Sequence, residues 1–235
     1  MKKSDAQEQH SRRNVLSNFI LGSQDGLVNV LGIILGISAA TSNIRLVFVA
    51  TLAALGAESI SMAAVAYTST SARRQLYLRE VDREKREMQD VPDIEKDEVR
   101  DILKLWGYEG KDLEEMVERI VANPKAWLEF MMSYELGLAP VEESEPRRSF
   151  ILVGASTVMG SLIPLIPFFF VGEDVITGAI ASVVISGITL FIIGWYAAKT
   201  TVGSFLRSGL KMAVIGLSAG LIGFLIGHFV GAAPL

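Results

Sequence analysis

The fold class is decided by residues 175–198, VITGAIASVVISGITLFIIGWYAA, a stretch that contains no charged side chain. An α-helix needs about 20 predominantly apolar residues to cross the ~30 Å hydrocarbon core of a bilayer. Four further stretches meet the same criterion, at residues 15–40, 46–69, 149–171 and 212–231. The sequence therefore predicts an all-α membrane protein with five transmembrane helices, numbered here as spans 1 to 5 in chain order.

Charged residues are segregated from these spans. Half of the 235 residues are hydrophobic and the mean hydropathy is +0.39, yet 20% of the residues are charged. Residues 73–148 hold 14 Lys+Arg and 20 Asp+Glu, which leaves 8 basic and 6 acidic residues for the rest of the chain. The chain is therefore predicted to consist of a polar head (1–14), spans 1 and 2 (15–70), a polar helical insertion (71–148) and spans 3 to 5 (149–235).

The composition excludes several kinds of site. The chain has no Cys, so it holds no disulfide, iron–sulfur cluster or thiolate zinc site. Its two His residues, His10 and His228, leave little room for an all-His metal site. A net charge of −4 gives no electrostatic footprint for nucleic acid, and we expect no nucleic-acid partner.

The basic residues predict the orientation of the chain. They cluster before span 1, in the insertion and between spans 4 and 5, and the flanking positions are Lys2, Lys3, Arg12, Arg13, Lys199, Arg207 and Lys211. The remaining loops are nearly free of positive charge, with Arg45 as the exception. Because cytoplasmic loops carry the excess of Lys and Arg, the N-terminus and the insertion are predicted to be cytoplasmic and the C-terminus to lie on the opposite side.

The insertion is predicted to be helical throughout. Span 2 should continue as one helix to about Met88, because neither Gly nor Pro occurs between Ala57 and Pro92. Three shorter helices should follow at about 93–106, at 112–121, and from the Asn123-Pro124 pair to about Gly137. In span 3, Pro164 and Pro167 predict a kinked or interrupted helix end.

Spans 1 and 2 carry the candidate residues for an ion path. Span 1 contains GSQDGLVN at 22–29, and a carboxylate such as Asp25 costs roughly 2.5–3.5 kcal/mol at the centre of a membrane helix. Glu58 and Met62 lie four residues apart on one face of span 2, and this pair suits a soft or borderline divalent metal. The structural alternatives are a packing role for Asp25 and a lipid-facing role for Met62.

The insertion carries a second group of candidate ligands at helical spacing. They are the pair Glu84 and Glu87, the pair Glu95 and Glu98, and the pair Met131 and Glu135. If the helices fold back on one another, four or five carboxylates and a thioether meet and bind divalent cations. Basic residues are interleaved with them, so spacing alone favours a solvated, salt-bridged surface.

Glycines recur at intervals of four residues in span 5. Gly216 and Gly220, and likewise Gly223 and Gly227, form small-xxx-small pairs that let helices approach closely. They are predicted to serve packing within the bundle or dimerisation.

The order of these features resembles the vacuolar iron transporter family, over nearly the whole chain after about residue 14. The resemblance rests on Asp25-Gly26, on Ser61-Met62-Ala63, on the carboxylate-rich insertion and on GSLIPLIP at 160–167. It implies a dimeric transporter that moves ferrous iron out of the cytosol in exchange for protons, along a path lined by spans 1 and 2 of both copies.

The family's ligands fall on particular residues of this chain. Its membrane-path ligands match Asp25 and Met62, with Glu58 at a plausible path position. Its cytoplasmic ligands match Glu84, Glu87, Glu95, Glu98, Met131 and Glu135, which favours the metal site over the solvated surface. One departure is Ala66, because many members carry a Glu just before the aromatic residue that is Tyr67 here.

The sequence therefore predicts a proton-coupled exporter of Fe²⁺, with Mn²⁺, Co²⁺ or Zn²⁺ as further candidate substrates. We expect a homodimer in a bilayer, in a prokaryotic plasma membrane, with no prosthetic group and no enzymatic activity. The rival is a membrane-anchored iron-storage or ferroxidase module, built on the same carboxylates. The absence of His from residues 73–148 argues against oxidase chemistry. A structural scaffold leaves Asp25 and Glu58 unexplained.

Overall fold

In a computed structural model, the described residues are 3–199 and 204–231, with side chains for 15–198 and 204–231. Every regular element in this part of the chain is helical. The α-helices are α1 (Lys3–Ala40), α2 (Ile44–Asp90), α3 (Pro92–Leu105), α4 (Gly110–Val121), α5 (Pro124–Phe130), α6 (Glu145–Leu162), α7 (Val175–Lys199) and α8 (Phe205–Gly231). A π-helical turn (Met131–Glu135) follows α5, and a 3-10 segment (Ile163–Phe169) follows α6.

Within the described residues, five helices are long and apolar enough to cross a membrane, as the sequence predicted. They are Val15–Ala40 within α1, Ile44–Asp90, Glu145–Phe169, Val175–Ala198 and Phe205–Gly231. On α7, Ile180, Val184, Ile188 and Ile192 form a stripe in which each side chain is more than half exposed. Exposed apolar stripes of this length are rare on soluble proteins, so the chain is a membrane protein.

Apart from α2, whose extension was predicted, the helices that extend furthest beyond their predicted spans are α1 and α8. Helix α1 begins at Lys3, so residues of the predicted head belong to the same helix as span 1, because no Gly or Pro interrupts residues 3–21. Helix α8 begins at Phe205, so Arg207 and Lys211 lie on its first turns and not in a loop as predicted. The predicted residues Lys2 and 232–235 lie outside the described part of the chain.

The end of span 3 is interrupted at its prolines, as predicted. Helix α6 ends at Leu162 and the chain continues as the 3-10 segment with Pro164 and Pro167. Pro167 has no N–H to donate, so the Pro164 carbonyl lacks its 3-10 partner. The hydroxyl of Ser182 on α7 donates to that carbonyl instead, which ties the segment to α7.

The described chain divides into two compact units. The membrane unit holds the residues up to Tyr67 and those from Arg147 onward, and the insertion unit is Thr68–Pro146. Helix α2 contributes residues to both units. In the membrane unit, α8 packs against α1 and α7.

Close contact between α8 and α1 depends on glycine. A Cβ at Gly223 would collide with the Gly32 carbonyl, and one at Gly227 would collide with the Gly36 carbonyl. The small residues of span 5 therefore serve packing within the chain, one of the two predicted roles.

The insertion unit has its own apolar core. Val99 and Leu103 of α3, Leu113 and Val117 of α4, and Trp127 are buried together, with Phe130 and Met131 completing the cluster. Helix α5 begins where predicted, because the Asn123 side chain accepts hydrogen bonds from the backbone N–H groups of Lys125 (3.1 Å) and Ala126 (3.2 Å). Gly137, at φ +62°, follows the π-helical turn.

Replacing Gly227 by Ala should destabilise the membrane unit, because the new Cβ collides with the backbone of Gly36. Overpacking of this kind costs about 1–3 kcal/mol and should lower the thermal unfolding temperature in detergent. Gly56→Ala on α2 is the matched control, since its Cβ would meet no atom within 4 Å. It should leave the unfolding temperature unchanged or raise it slightly. Equal shifts in the two variants would contradict this account of the α1–α8 contact.

Candidate metal sites

Three glutamates from three separate elements meet in the insertion unit. Glu84 lies on α2, Glu95 on α3 and Glu135 at the end of the π-helical turn. One carboxylate oxygen of each lies within 4.8 Å of the corresponding oxygens of the other two. Three of the six residues predicted from the insertion are therefore brought together around one point.

The core of the insertion unit fixes Glu95 in this position. Glu95, Val99 and Leu103 are spaced by four residues along α3, and all three are buried. They therefore occupy one face of the helix, and the same packing that buries the two aliphatic side chains also buries the carboxylate. Glu95 is only 3% exposed.

The π-helical turn sets the position of Glu135. The Leu136 N–H donates to the Met131 carbonyl at 3.1 Å, a bond between residues five apart. This pattern inserts one residue into the helical turn, so the register after Phe130 differs from that of an α-helix. The sequence predicted one uninterrupted helix from Asn123-Pro124 to about Gly137. The structure instead has a π-helical turn at Met131–Glu135, and this turn determines where Glu135 lies.

The glutamates carry oxygen atoms without partners. The Oε2 atoms of Glu84 and Glu95 are both buried and accept no hydrogen bond within the described chain. Glu84 is 1% exposed. Leaving a charged oxygen buried and unpaired is costly, so such a carboxyl group either takes up a proton or binds a cation.

Burial and mutual repulsion change the protonation of this group. The pKa of Glu95 is raised to about 7, first by burial and then by the negative charges of Glu98, Glu84 and Glu135. The pKa of Glu135 is likewise raised to about 7 by burial, with repulsion from Glu84 and Glu98. Burial also raises the pKa of Glu84, although its hydrogen bond to Arg83 opposes the shift.

Of the other predicted ligands of the insertion, Glu87 and Glu98 lie near this group, and Met131 lies in the apolar core. Glu87 and Glu98 both act electrostatically on Glu84 and Glu95. Met131 is fully buried in the apolar core, four residues before Glu135. Because Glu84 and Glu95 are buried, the site is not the wholly solvated surface that spacing alone favoured. Several carboxylate oxygens that meet at one point are hard donors of the kind that binds a divalent cation.

Two residues of this region were not predicted as part of a site. Arg83 contacts Glu80, Glu84 and Glu87, with nitrogen–oxygen distances of 3.0, 3.2 and 3.3 Å. Glu80 is 8% exposed. Glu80 precedes Glu84 by four residues and Glu87 by seven, and that spacing is the signal that places it on the same face of α2.

The raised pKa values predict how stability depends on pH in metal-free protein. Folded Glu95 holds its proton up to about pH 7, whereas the ordinary pKa of this group is 4.5. Its stabilising contribution is therefore complete below the ordinary value and is lost as the pH rises through about 7. Between about pH 5 and pH 8, chelator-treated wild type should lose more free energy of unfolding than Glu95→Gln. Parallel pH profiles of the two proteins would contradict this assignment.

The membrane unit brings together a second polar group. Asn29 of α1 donates a hydrogen bond from Nδ2 to Oε1 of Glu58 on α2. The Asp25 carboxyl group, one turn before Asn29, also lies within hydrogen-bonding reach of Glu58. Two of the three predicted path residues thus lie close together, and Asn29 donates its hydrogen bond to one of them, Glu58. Sequence analysis found Asp25 and Glu58 by their charge but could not pair positions on different helices.

Met62 lies one turn beyond Glu58 on the same face of α2. It is half-buried, as are Asp25 and Glu58, whereas Asn29 is exposed. In a membrane, polar groups in the middle of a span face protein or a water-filled cavity. The group formed by Asp25, Asn29 and Glu58 is therefore the polar centre of this unit.

Comparison with known proteins gives the family. The sequence model of the VIT family matches residues 16–228. Vacuolar iron transporter 1 of Arabidopsis thaliana is 32% identical over 216 residues, which cover 92% of this chain and 86% of the relative. Vacuolar iron transporter 2 of Oryza sativa subsp. japonica is 36% identical over 213 residues (89% and 85%), and vacuolar iron transporter of Plasmodium berghei is 34% identical over 230 residues (94% and 84%).

The described part of the chain is a helical membrane protein with a carboxylate cluster. The sequence match is specific: this chain belongs to the VIT family. The resemblance seen in the sequence is thereby confirmed.

Proposed function

We propose that this protein is a transporter that exports ferrous iron from the cytosol in exchange for protons. Membership of a family with relatives named vacuolar iron transporters supports iron as the substrate. The observation that carries the proposal is the meeting of Glu84, Glu95 and Glu135 around one point, with a buried, unpaired oxygen on Glu84 and another on Glu95. Mn²⁺, Co²⁺ and Zn²⁺ are further candidate substrates, because the same donors accept them.

The proposed role of the insertion unit is to collect metal from the cytosol. Glu84, Glu95 and Glu135 form the centre of the site, and Glu87, Glu98 and Met131 complete the proposed ligand set. The unpaired oxygens of Glu84 and Glu95 support this role, since a bound cation would satisfy them. Ions would then pass to Met62, Glu58 and Asp25 in the membrane unit.

Proton coupling would follow from the chemistry of the ligands. A carboxylate must lose its proton before it binds metal, and it can regain a proton when the metal leaves. In the insertion site, two carboxyl groups titrate at about 7, so protons and metal compete there near neutral pH. Asp25 and Glu58 are the acidic residues within the spans and the proposed carriers of the exchanged protons.

The proposed homodimer is supported by exposed polar groups in the spans. Asn29 is exposed in the single chain, in the middle of the span Val15–Ala40. Contact with lipid would be unfavourable for its amide and for the half-buried Asp25 and Glu58. A second copy that covers these groups would place two sets of ligands along one path.

The orientation proposed from the basic residues puts the insertion unit in the cytoplasm, with the C-terminus on the opposite side. Helix α2 is longer than a single membrane crossing requires. Its 47 residues make a helix of about 70 Å, more than twice the thickness of the hydrocarbon core. The prokaryotic plasma membrane stays a prediction, because the relatives are named for the vacuole.

Metal flux into proteoliposomes tests this function. With an imposed pH gradient, wild type should carry Fe²⁺ under anaerobic conditions, and collapse of the gradient should stop the flux. Asp25→Asn should reduce flux on the order of tenfold or more, because a ligand is lost while the side-chain volume is kept. Glu173→Gln, an exposed position between the 3-10 segment and α7, is the control and should transport normally.

Three outcomes would count against the proposal. Flux that is indifferent to the pH gradient would contradict proton exchange. Metal binding without flux in wild type would favour the storage module, and oxygen consumption on addition of Fe²⁺ would favour the ferroxidase. Normal flux in Asp25→Asn would remove Asp25 from the path.

A further inference from the structure

Arg83 places a permanent positive charge inside the proposed metal site. Each of three guanidinium nitrogens approaches a different glutamate: Nη1 approaches Glu80, Nη2 approaches Glu84 and Nε approaches Glu87. The hydrogen bond to Glu84 and the charges of the neighbouring glutamates raise the pKa of Arg83 above its already high ordinary value. Arg83 therefore stays charged at every pH at which the site binds metal.

The two carboxylate oxygens of Glu84 differ in their contacts. Oε1 accepts a hydrogen bond from Arg83 at 3.2 Å, whereas Oε2 is buried and has no partner. A divalent ion bound by Glu84 would therefore lie only a few ångströms from the guanidinium. Two cations so close repel each other. Solvent screens the repulsion only in part, because Glu84 is 1% exposed while the Arg83 side chain is 43% exposed.

Glu80 offers Arg83 a partner that does not belong to the metal site. Its Oε2 lies 3.0 Å from Arg83, and its side chain is 11% exposed. The group of oxygens within 4.8 Å consists of Glu84, Glu95 and Glu135, and it does not include Glu80. An arginine that turned away from Glu84 and Glu87 could keep a charged hydrogen-bond partner in Glu80.

We propose that Arg83 is the resident counter-cation of the insertion site, released from Glu84 and Glu87 onto Glu80 when a divalent metal ion binds. The pair Arg83–Glu80 thereby sets the affinity of the site for metal. This inference rests on the proposed function of the glutamates as metal ligands. It also gives a reason for the arrangement: a site that hands its ion onward must bind it only moderately, and a competing internal cation lowers affinity without removing a ligand.

Equilibrium binding of Fe²⁺ to the purified full-length protein, under anaerobic conditions, tests the proposal. Measured at about pH 8 and low ionic strength, where protons compete little, Arg83→Gln should bind Fe²⁺ on the order of tenfold more tightly than wild type. Glu80→Gln should bind Fe²⁺ about threefold more weakly. Without the Glu80 carboxylate, Arg83 pairs only with Glu84 and Glu87 and competes more strongly with the metal ion for them. In the double variant, the effect of Glu80→Gln should vanish and the affinity should equal that of Arg83→Gln.

Arg79→Gln is the matched control. Arg79 lies one turn before Arg83 on α2 and contacts Glu80 at 3.1 Å, but it is 74% exposed and its described ion pair is with Glu80 alone. Removing its charge should leave the affinity within about twofold of wild type, since an exposed pair contributes little. The control separates a local effect of Arg83 from a general loss of positive charge.

The outcomes separate this proposal from the function on which it rests. Wild type that binds no Fe²⁺ would overturn the metal site itself. Wild type that binds, with Arg83→Gln equal or weaker, would leave the site intact and overturn the counter-cation role. Equal weakening by Glu80→Gln with and without Arg83 would make Glu80 a ligand and overturn its assigned role. If Arg83→Gln does not fold, unchanged binding in Glu80→Gln would overturn the proposal by itself.

Discussion

The insertion site depends on one constraint: carboxylates gathered in a buried place need a cation or a proton. Glu84 and Glu95 are buried by the core of the insertion unit, and each carries an oxygen without a partner. Burying an unpaired charge costs a fold much of its free energy of unfolding. Such a charge therefore persists only where the surrounding structure holds it in place. Here the enforcing elements are the apolar face of α3 and the register of the π-helical turn.

Three kinds of positive charge can meet this constraint: protons, the Arg83 guanidinium and a divalent metal ion. They compete for the same carboxylate oxygens. Protons occupy Glu95 and Glu135 up to about neutral pH, since the pKa values of these two groups are raised to about 7. Arg83 neutralises one oxygen of Glu84 at any pH. A divalent metal ion would satisfy all three glutamates together. Competition among proton, arginine and metal would make the site responsive to both pH and metal concentration, which suits an exchanger.

Much of the fold could be predicted from the sequence because it follows from composition and local signals. The five spans follow from apolar length, the extension of α2 from the absence of Gly and Pro, and the start of α5 from Asn123 and Pro124. Two helix starts were misjudged for the same reason. Polar residues such as Arg207 were assigned to loops, although a membrane helix can continue through the interface into water.

The candidate sites were less predictable, because tertiary contacts decide them. Spacing identified the glutamate pairs but could not show which members are buried, and it missed the π-helical turn that positions Glu135. Charge identified Asp25 and Glu58 as unusual in their spans. The hydrogen bond from Asn29 on α1 to Glu58 on α2 could be found only from the structure. Arg83 appeared only as one of several interleaved basic residues, and its contacts with three glutamates set it apart.

The most direct measurement is the number of protons released when Fe²⁺ binds the metal-free protein, obtained by anaerobic calorimetry in buffers of different ionisation enthalpy. The account predicts about one or two protons per bound ion near pH 6.5, falling toward zero by about pH 8.5, because Glu95 and Glu135 titrate at about 7. Fe²⁺ binding without proton release across this range would contradict the exchange of protons for metal at the buried glutamates.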